Sequence, residues 1–336
     1  MRSPATISEA KIGHYAYLEH VGKFWPLLLL LPLFFACQNT PPKAAEEQTV
    51  PALRPQLEAI TLLGDSLFSS SPEAGQALSN YEAAKAHYET SPGDVEALIW
   101  YGRRTAYLGH FREAIDIYTE GINKHPADAR LYRHRGHRYI STRQFEQAID
   151  DFEKAASLSA GRQDETEPDG LPNERNLPLT TTQGNIWYHL GLAYYLTNQL
   201  ESAQDAFSNR AVTHQYDDNI VSGSHWLYMI HRRLNQAEAA QAVLEDVHGD
   251  MDIIENDSYY LMCRFYQGAI TAEDLQPAGK SSSSDDVLLY GLGNWRLYHE
   301  EDTSSAQALF RELLDNGNPY SFAYIAAEAD WARLFK

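Results

Sequence analysis

Nine basic side chains crowd the segment from Arg103 to Arg143: Arg103, Arg104, Arg112, Lys124, Arg130, Arg133, Arg135, Arg138 and Arg143. Only Glu113, Asp116, Glu120 and Asp128 oppose them, so this stretch carries about +5 within a chain of net charge −19. A guanidinium is a planar fork that grips a carboxylate or phosphate through two parallel hydrogen bonds. The chemistry on offer is capture of an anion: a carboxylate, a phosphate or an acidic peptide. Segment 236–302 is the reverse, with Arg264, Lys280 and Arg296 against fourteen acids. So acidic a chain argues against nucleic acid as a general partner. Other chemistries lack their residues. His134 and His137 are spaced i, i+3 and His225 and His231 i, i+6, with no acid at metal-site spacing such as H-E-x-x-H. Neither a metal nor a cofactor is expected. There is no glycine-rich phosphate loop, no G-x-S-x-G and no Cys/His pair in a recognisable context. The chain reads as non-catalytic.

The elements that must position these residues announce themselves by repetition. Gly102, Phe111, Ala114, Tyr118 and Gly121 recur 34 residues later as Gly136, Phe145, Ala148, Phe152 and Ala155. Gly109 and Pro126 complete the first copy. A third copy carries Trp187, Leu190, Gly191, Tyr194, Ala203 and Phe207. From Gly136 to Gly191 is 55 residues, one period and 21 more. The extra residues are rich in Pro, Gly and acids and predict a loop. The pattern resembles the tetratricopeptide repeat, a helix–turn–helix unit that cannot bury its apolar face alone and so must stack. Its small residues let helices approach closely and its aromatics fill the gaps, so they are core. Later units, 225–247, 257–268 with 271–278, and 287–317, are degenerate hairpins. Residues 320–335 read as a final amphipathic helix.

The predicted fold is all-α: a right-handed superhelical solenoid of TPR-like hairpins with a C-terminal capping helix. An N-terminal partial repeat is expected over 57–93, two repeats over 94–159, an acidic insertion over 160–182, and degenerate hairpins with the cap over 183–336. Several stretches are similar to a little-characterised family of bacterial exported TPR proteins. They are YGRRTAYLG (101–109), RHRGHRYIS (133–141), EPDGLPN (167–173), NIWYHLGLAYYL (185–196), HWLYM (225–229), IIEN (253–256), GNWRLY (293–298) and FAYIAAEADWAR (322–333). That resemblance implies the fold and no reaction.

The N-terminus predicts an address. FWPLLLLLPLFFA (24–36) is shorter than the ~20 apolar residues that span a bilayer. It suits the apolar region of a secretion signal, with Lys23 just ahead. Ala36–Cys37 follows at once, and a small residue before Cys there resembles the bacterial lipoprotein processing site. Residues 1–36 therefore predict a lipoprotein-type signal peptide, for which a start near Val21 gives a compact form. Cys37 is the expected lipidation site, and a multiply acylated Cys holds a membrane firmly. Residues 37–56, with four prolines, predict a flexible linker. The expected location is the envelope, facing the periplasm from the outer membrane. The other cysteine, Cys263, predicts a buried structural thiol.

The repeat resemblance also sets a register, in which the first helix of each unit lines a concave groove. That register turns Arg103, Arg130, Arg133 and His137 towards the groove as partner-binding residues. The Lys/Asn carboxylate clamp of chaperone-binding relatives is not reproduced, since Ile99 and Arg103 occupy the first-repeat positions. One reading is a non-catalytic interaction scaffold of the cell envelope, binding a protein or acidic peptide in the groove. The alternative is a binding protein or sensor for a small anionic ligand. A third possibility is that the arginines pair internally with Asp164, Glu165, Glu167 and Asp169 of the insertion.

Overall fold

The turn inside each helical hairpin explains much of the period. A left-handed residue stands there at Gly109 (φ 81°), Arg143 (63°), Asn198 (60°), Asn235 (58°) and Glu301 (58°), and Gly268 (72°) ends a further helix in the same way. In this computed structural model residues 55–69, 74–211, 216–275 and 282–336 are described. The signal segment, Cys37 and the linker as far as residue 54 lie outside them. The helices are α1 (Gln76–Thr90), α2 (Val95–Tyr107), α3 (Phe111–Lys124), α4 (Ala129–Ser141), α5 (Phe145–Ser159), α6 (Thr182–Leu196), α7 (Leu200–Ala211), α8 (Asp217–Arg233), α9 (Ala237–Ala242), α10 (Asp257–Tyr266), α11 (Ser282–Tyr298), α12 (Thr303–Asn316) and α13 (Phe322–Leu334). Asp94, Asp128, Thr181, Asp302 and Ser321 start five of them, each side chain accepting a hydrogen bond from a first-turn N–H.

Within the hairpins the period is a packing rule. A Cβ on Gly102, Gly136, Gly191 or Gly293 would come within 2.5, 2.9, 2.6 or 2.6 Å of Tyr118, Phe152, Phe207 or Phe310. Each first helix thus lies bare backbone against the aromatic ring of its second helix. The left-handed turn offers a stability test. That conformation costs a non-glycine residue about 1–2 kcal/mol, and Glu301 is exposed. Glu301→Gly is expected to raise the unfolding free energy by up to about 1 kcal/mol, the gain being trimmed by glycine's freer unfolded chain. Urea denaturation reads this directly, and a lower midpoint would show that the Glu301 side chain holds the turn.

Two expectations need correction. Residues 57–68 are not part of a helical repeat. They form a hairpin of β1 (Leu57–Ile60) and β2 (Ser66–Phe68), with Leu57 opposite Phe68 and Ile60 opposite Ser66. The physical reason is tertiary: Glu58 accepts from the Arg112 backbone N–H at 2.9 Å, while Arg112 Nε donates to the Glu58 carbonyl at 2.9 Å, pinning the strand beside α3. Only α1 supplies the leading helix, with Tyr88 stacked on Tyr101 at 5.7 Å. The second is the expected helix over 271–278: its described part, residues 271–275, holds one 3-10 turn, Ala272–Asp274.

The C-terminal helix does more than cap. It packs on α11, α12 and also α6. Glu328 pairs with Arg143 at 2.7 Å with side chains only 0 % and 2 % exposed, and accepts from the Leu62 N–H at 2.7 Å. One carboxylate thereby joins α13, the α4–α5 turn and the β1–β2 loop. A second buried polar chain runs Asn294–Tyr195–Tyr290–Asp330, with Arg233 and Arg333 on Asp330. Cys263 is buried as expected, its thiol pushed up by burial and directed at the Val221 carbonyl.

The insertion is extended. Thr166 bridges Thr181, and the Glu167 N–H donates to the Thr180 carbonyl at 2.9 Å. Further out, Asn173 donates to Glu255 at 2.7 Å and Arg175 pairs with Asp252 at 2.6 Å. The loop they meet is held by buried Asp218, which accepts from the N–H groups of Ile254, Glu255 and Asn256.

Candidate functional site

The basic residues of α2 and α4 converge beneath the insertion. Arg103 and Arg133 are 8 % and 7 % exposed, low for unpaired cations. Arg133 uses one terminal nitrogen on Glu167 at 3.0 Å and the other on His134 Nδ1 at 3.0 Å. Its Nε has no hydrogen-bond partner among the described residues. Because an arginine only donates, His134 Nδ1 is the unprotonated nitrogen. Burial holds the His134 pKa well below the usual range, and the Arg133 charge adds to this. The ring stacks on Tyr118 at 5.7 Å.

Arg103 donates to the Tyr107 hydroxyl from Nε at 3.4 Å and from a terminal nitrogen at 3.2 Å, and lies 4.4 Å over Trp100. Burial weakens its charge, but Tyr107 and Glu167 outweigh that and hold its pKa above the ordinary value. Arg104 donates to the Gly170 carbonyl at 2.8 Å. Gly170 itself is pressed on Tyr107 so closely that a Cβ would fall 2.0 Å from the hydroxyl. The insertion is thus seated on α2 by backbone, not merely by charge.

Arg138 completes the wall. Its guanidinium lies 5.2 Å from the Phe111 ring centre and makes no hydrogen bond or ion pair among the described residues. Burial pushes its pKa down to about 10, and the neighbouring charges of Arg133 and Arg103 push the same way. It stays cationic at neutral pH. Arg133 pairs with Glu167, which is itself 8 % exposed, and the same carboxylate favours the charged form of Arg103.

The four residues expected to face the groove separate. Arg103 and Arg133 come together as predicted. Arg130 does not join them: it pairs with Asp128 and with Glu96, both at 2.7 Å, at the rim. It is the second residue of α4, and helical side chains lean back towards the N-terminus, here onto the capping Asp128. His137 lies inside but carries no charge. Its ring sits 4.5 Å from His189 and 5.4 Å from Phe322, and burial holds its pKa well below the usual range. It borders a hollow of about 400 Å³ with Ser258, Asn318 and Tyr320. Of the insertion's acids only Glu167 reaches the arginines. Asp164 caps α6 through the Gln183 N–H at 2.9 Å, and Asp169 accepts from the Leu171 N–H at 3.2 Å. Arg138 was not among the expected residues. Its signal was the i, i+4 spacing from His134, which places both on one helical face.

The tetratricopeptide repeat family model matches residues 129–161, which are α4, α5 and the first residues of the insertion. No curated protein matches the chain. Among solved structures, a tetratricopeptide repeat protein from Parabacteroides merdae is 14 % identical over 75 % of this chain and 91 % of its own, with a TM-score of 0.46. YrrB, described as a TPR protein with an unusual peptide-binding site, is 15 % identical over 74 % of this chain and 98 % of its own, with a TM-score of 0.41. PilF of Pseudomonas aeruginosa is 14 % identical over 75 % of this chain and 91 % of its own, also at 0.41. Stacked repeats of this kind present extended surfaces to protein partners and are in general non-catalytic scaffolds. The chain thus carries one matched tetratricopeptide repeat, with the same glycine-on-aromatic hairpin stacked before and after it.

Proposed function

We propose that this chain is a non-catalytic scaffold that receives an acidic segment of a protein partner on the inner wall of its first two repeats. One observation carries the reading: Arg133 pairs with Glu167, a carboxylate that arrives on an extended segment, while Arg138 beside it makes no ion pair among the described residues. The protein's own insertion displays the shape and charge that the wall accepts. A buried cation without a counter-charge is costly, so the wall favours any acidic segment that brings one. The scaffold is exported and tethered to the outer membrane through Cys37, with residues 38–56 as its leash. The apolar run 24–36 and the Ala36–Cys37 junction support this.

The partner site is tested by fluorescence anisotropy with a labelled glutamate-rich peptide and its glutamine counterpart. The acidic peptide is expected to bind and the neutral one not. Arg138→Met is expected to weaken binding about tenfold or more, the size of one charged hydrogen bond. Arg130→Met, at the rim, is expected to change little. Equal effects of the two substitutions would move the site away from the inner wall. The tether is tested separately by palmitate labelling, which Cys37→Ser should abolish.

A further inference from the structure

The surplus charge on the inner wall has a definite place and a definite size. Arg133 is committed to Glu167 and His134. Arg103 donates to the Tyr107 hydroxyl and lies over the Trp100 ring, and one of its terminal nitrogens makes no hydrogen bond among the described residues. Arg138 has none. We propose that Arg103 and Arg138 form a site for one doubly negative group, the chemistry shared by a phosphate monoester and a pair of adjacent carboxylates, while Glu167 stays on Arg133. The proposal rests on the anionic-partner reading and names the group such a partner presents.

Four observations set the charge at two. The other carboxylates nearby are already taken: Asp151 by Arg135 at 2.7 Å, Asp128 and Glu96 by Arg130, and Glu328 by Arg143. The histidines of this interior, His134, His137 and His189, are held neutral by burial and add no positive charge. Glu167 is tied by more than its ion pair, through the Thr166–Thr181 bridge and the seating of Gly170 on Tyr107, so it is a wall and not a plug. The Tyr107 hydroxyl oxygen accepts from Arg103, so its O–H can donate to an anion beside it. A singly charged ligand leaves one of the two guanidinium groups uncompensated, whereas a dianion satisfies both, each through a two-pronged contact.

The test uses the full chain at constant ionic strength, with inorganic phosphate, succinate and acetate as probes, read by calorimetric titration and thermal shift. Phosphate or succinate is expected to bind at least tenfold tighter than acetate and to raise Tm. Arg138→Met and Arg103→Gln are each expected to remove that preference. Tight binding of phosphate alone identifies a phosphate source and of succinate alone a carboxylate pair, and either supports the site. If Arg138→Met fails to fold by circular dichroism, Arg103→Gln decides. Dianions that bind no tighter than acetate, or that keep their preference in the folded variants, overturn the proposal. If the glutamate-rich peptide binds while phosphate and succinate do not, the dianion site falls and the scaffold reading stands. If nothing binds, both fall.

Discussion

Replacing Arg143 by alanine is expected to cost about 3–5 kcal/mol of stability, the penalty for breaking a buried ion pair from one side. Glu328 has no access to water and meets Arg143 at 2.7 Å in its innermost contact. Arg143 also donates to the carbonyls of Ser141 at 2.8 Å and Pro319 at 2.6 Å. Its removal leaves a buried carboxylate with the Leu62 N–H as its remaining hydrogen-bond donor, and two carbonyls without theirs. Urea denaturation at fixed pH measures the loss. The double variant Arg143→Met with Glu328→Leu is expected to recover most of it, because paired apolar replacements remove the desolvation penalty together with the attraction. Amide exchange supplies a local readout. Protection at 57–68 and 322–334 should fall first, since this pair ties β1–β2 and α13 to the α4–α5 turn. A loss under about 1 kcal/mol from Arg143→Ala would mean that packing alone holds the C-terminal helix in place.

Lowering the pH from 7.5 to 5.5 is expected to destabilise the protein steeply. His134, His137 and His189 are kept neutral chiefly by burial, reinforced by Arg133 or Arg138, and burial pushes His225 down to about 3. The unfolded chain takes up these four protons near pH 6.5, whereas the folded chain refuses them. Stability is therefore intact above that pH and falls as pH drops through it. Each histidine contributes about 1.4 kcal/mol per pH unit, so four together contribute on the order of 5 kcal/mol per unit. Asp151, Asp286 and Glu255, all held above the ordinary carboxylate range mainly by burial, act in the opposite sense but only in the more acidic range. Urea midpoints at pH 7.5, 6.5 and 5.5 check this, and His137→Phe should flatten the slope by about a quarter. A midpoint constant across that range would rule out neutral buried histidines.

Much of the architecture is written in the 34-residue period, because each repeat is decided by contacts between neighbours. A glycine on the first helix meets an aromatic on the second, and a left-handed residue turns the chain between them. Both requirements are local and recur at fixed offsets. The concentration of arginine is equally legible, being a matter of counting. What the period could not show was where each arginine points. Arg130 is drawn to its own helix cap, and Arg138 lies inside though the repeat register does not mark it. The β1–β2 hairpin is pinned where Arg112 and Glu58, 54 residues apart, meet at the start of α3. Arg133 finds Glu167 only through the path of the insertion, and Arg143 finds Glu328 across 185 residues. Such meetings depend on how far the stacked hairpins curl. That curl is the sum of small rotations at successive interfaces, and only the assembled tertiary structure adds them up.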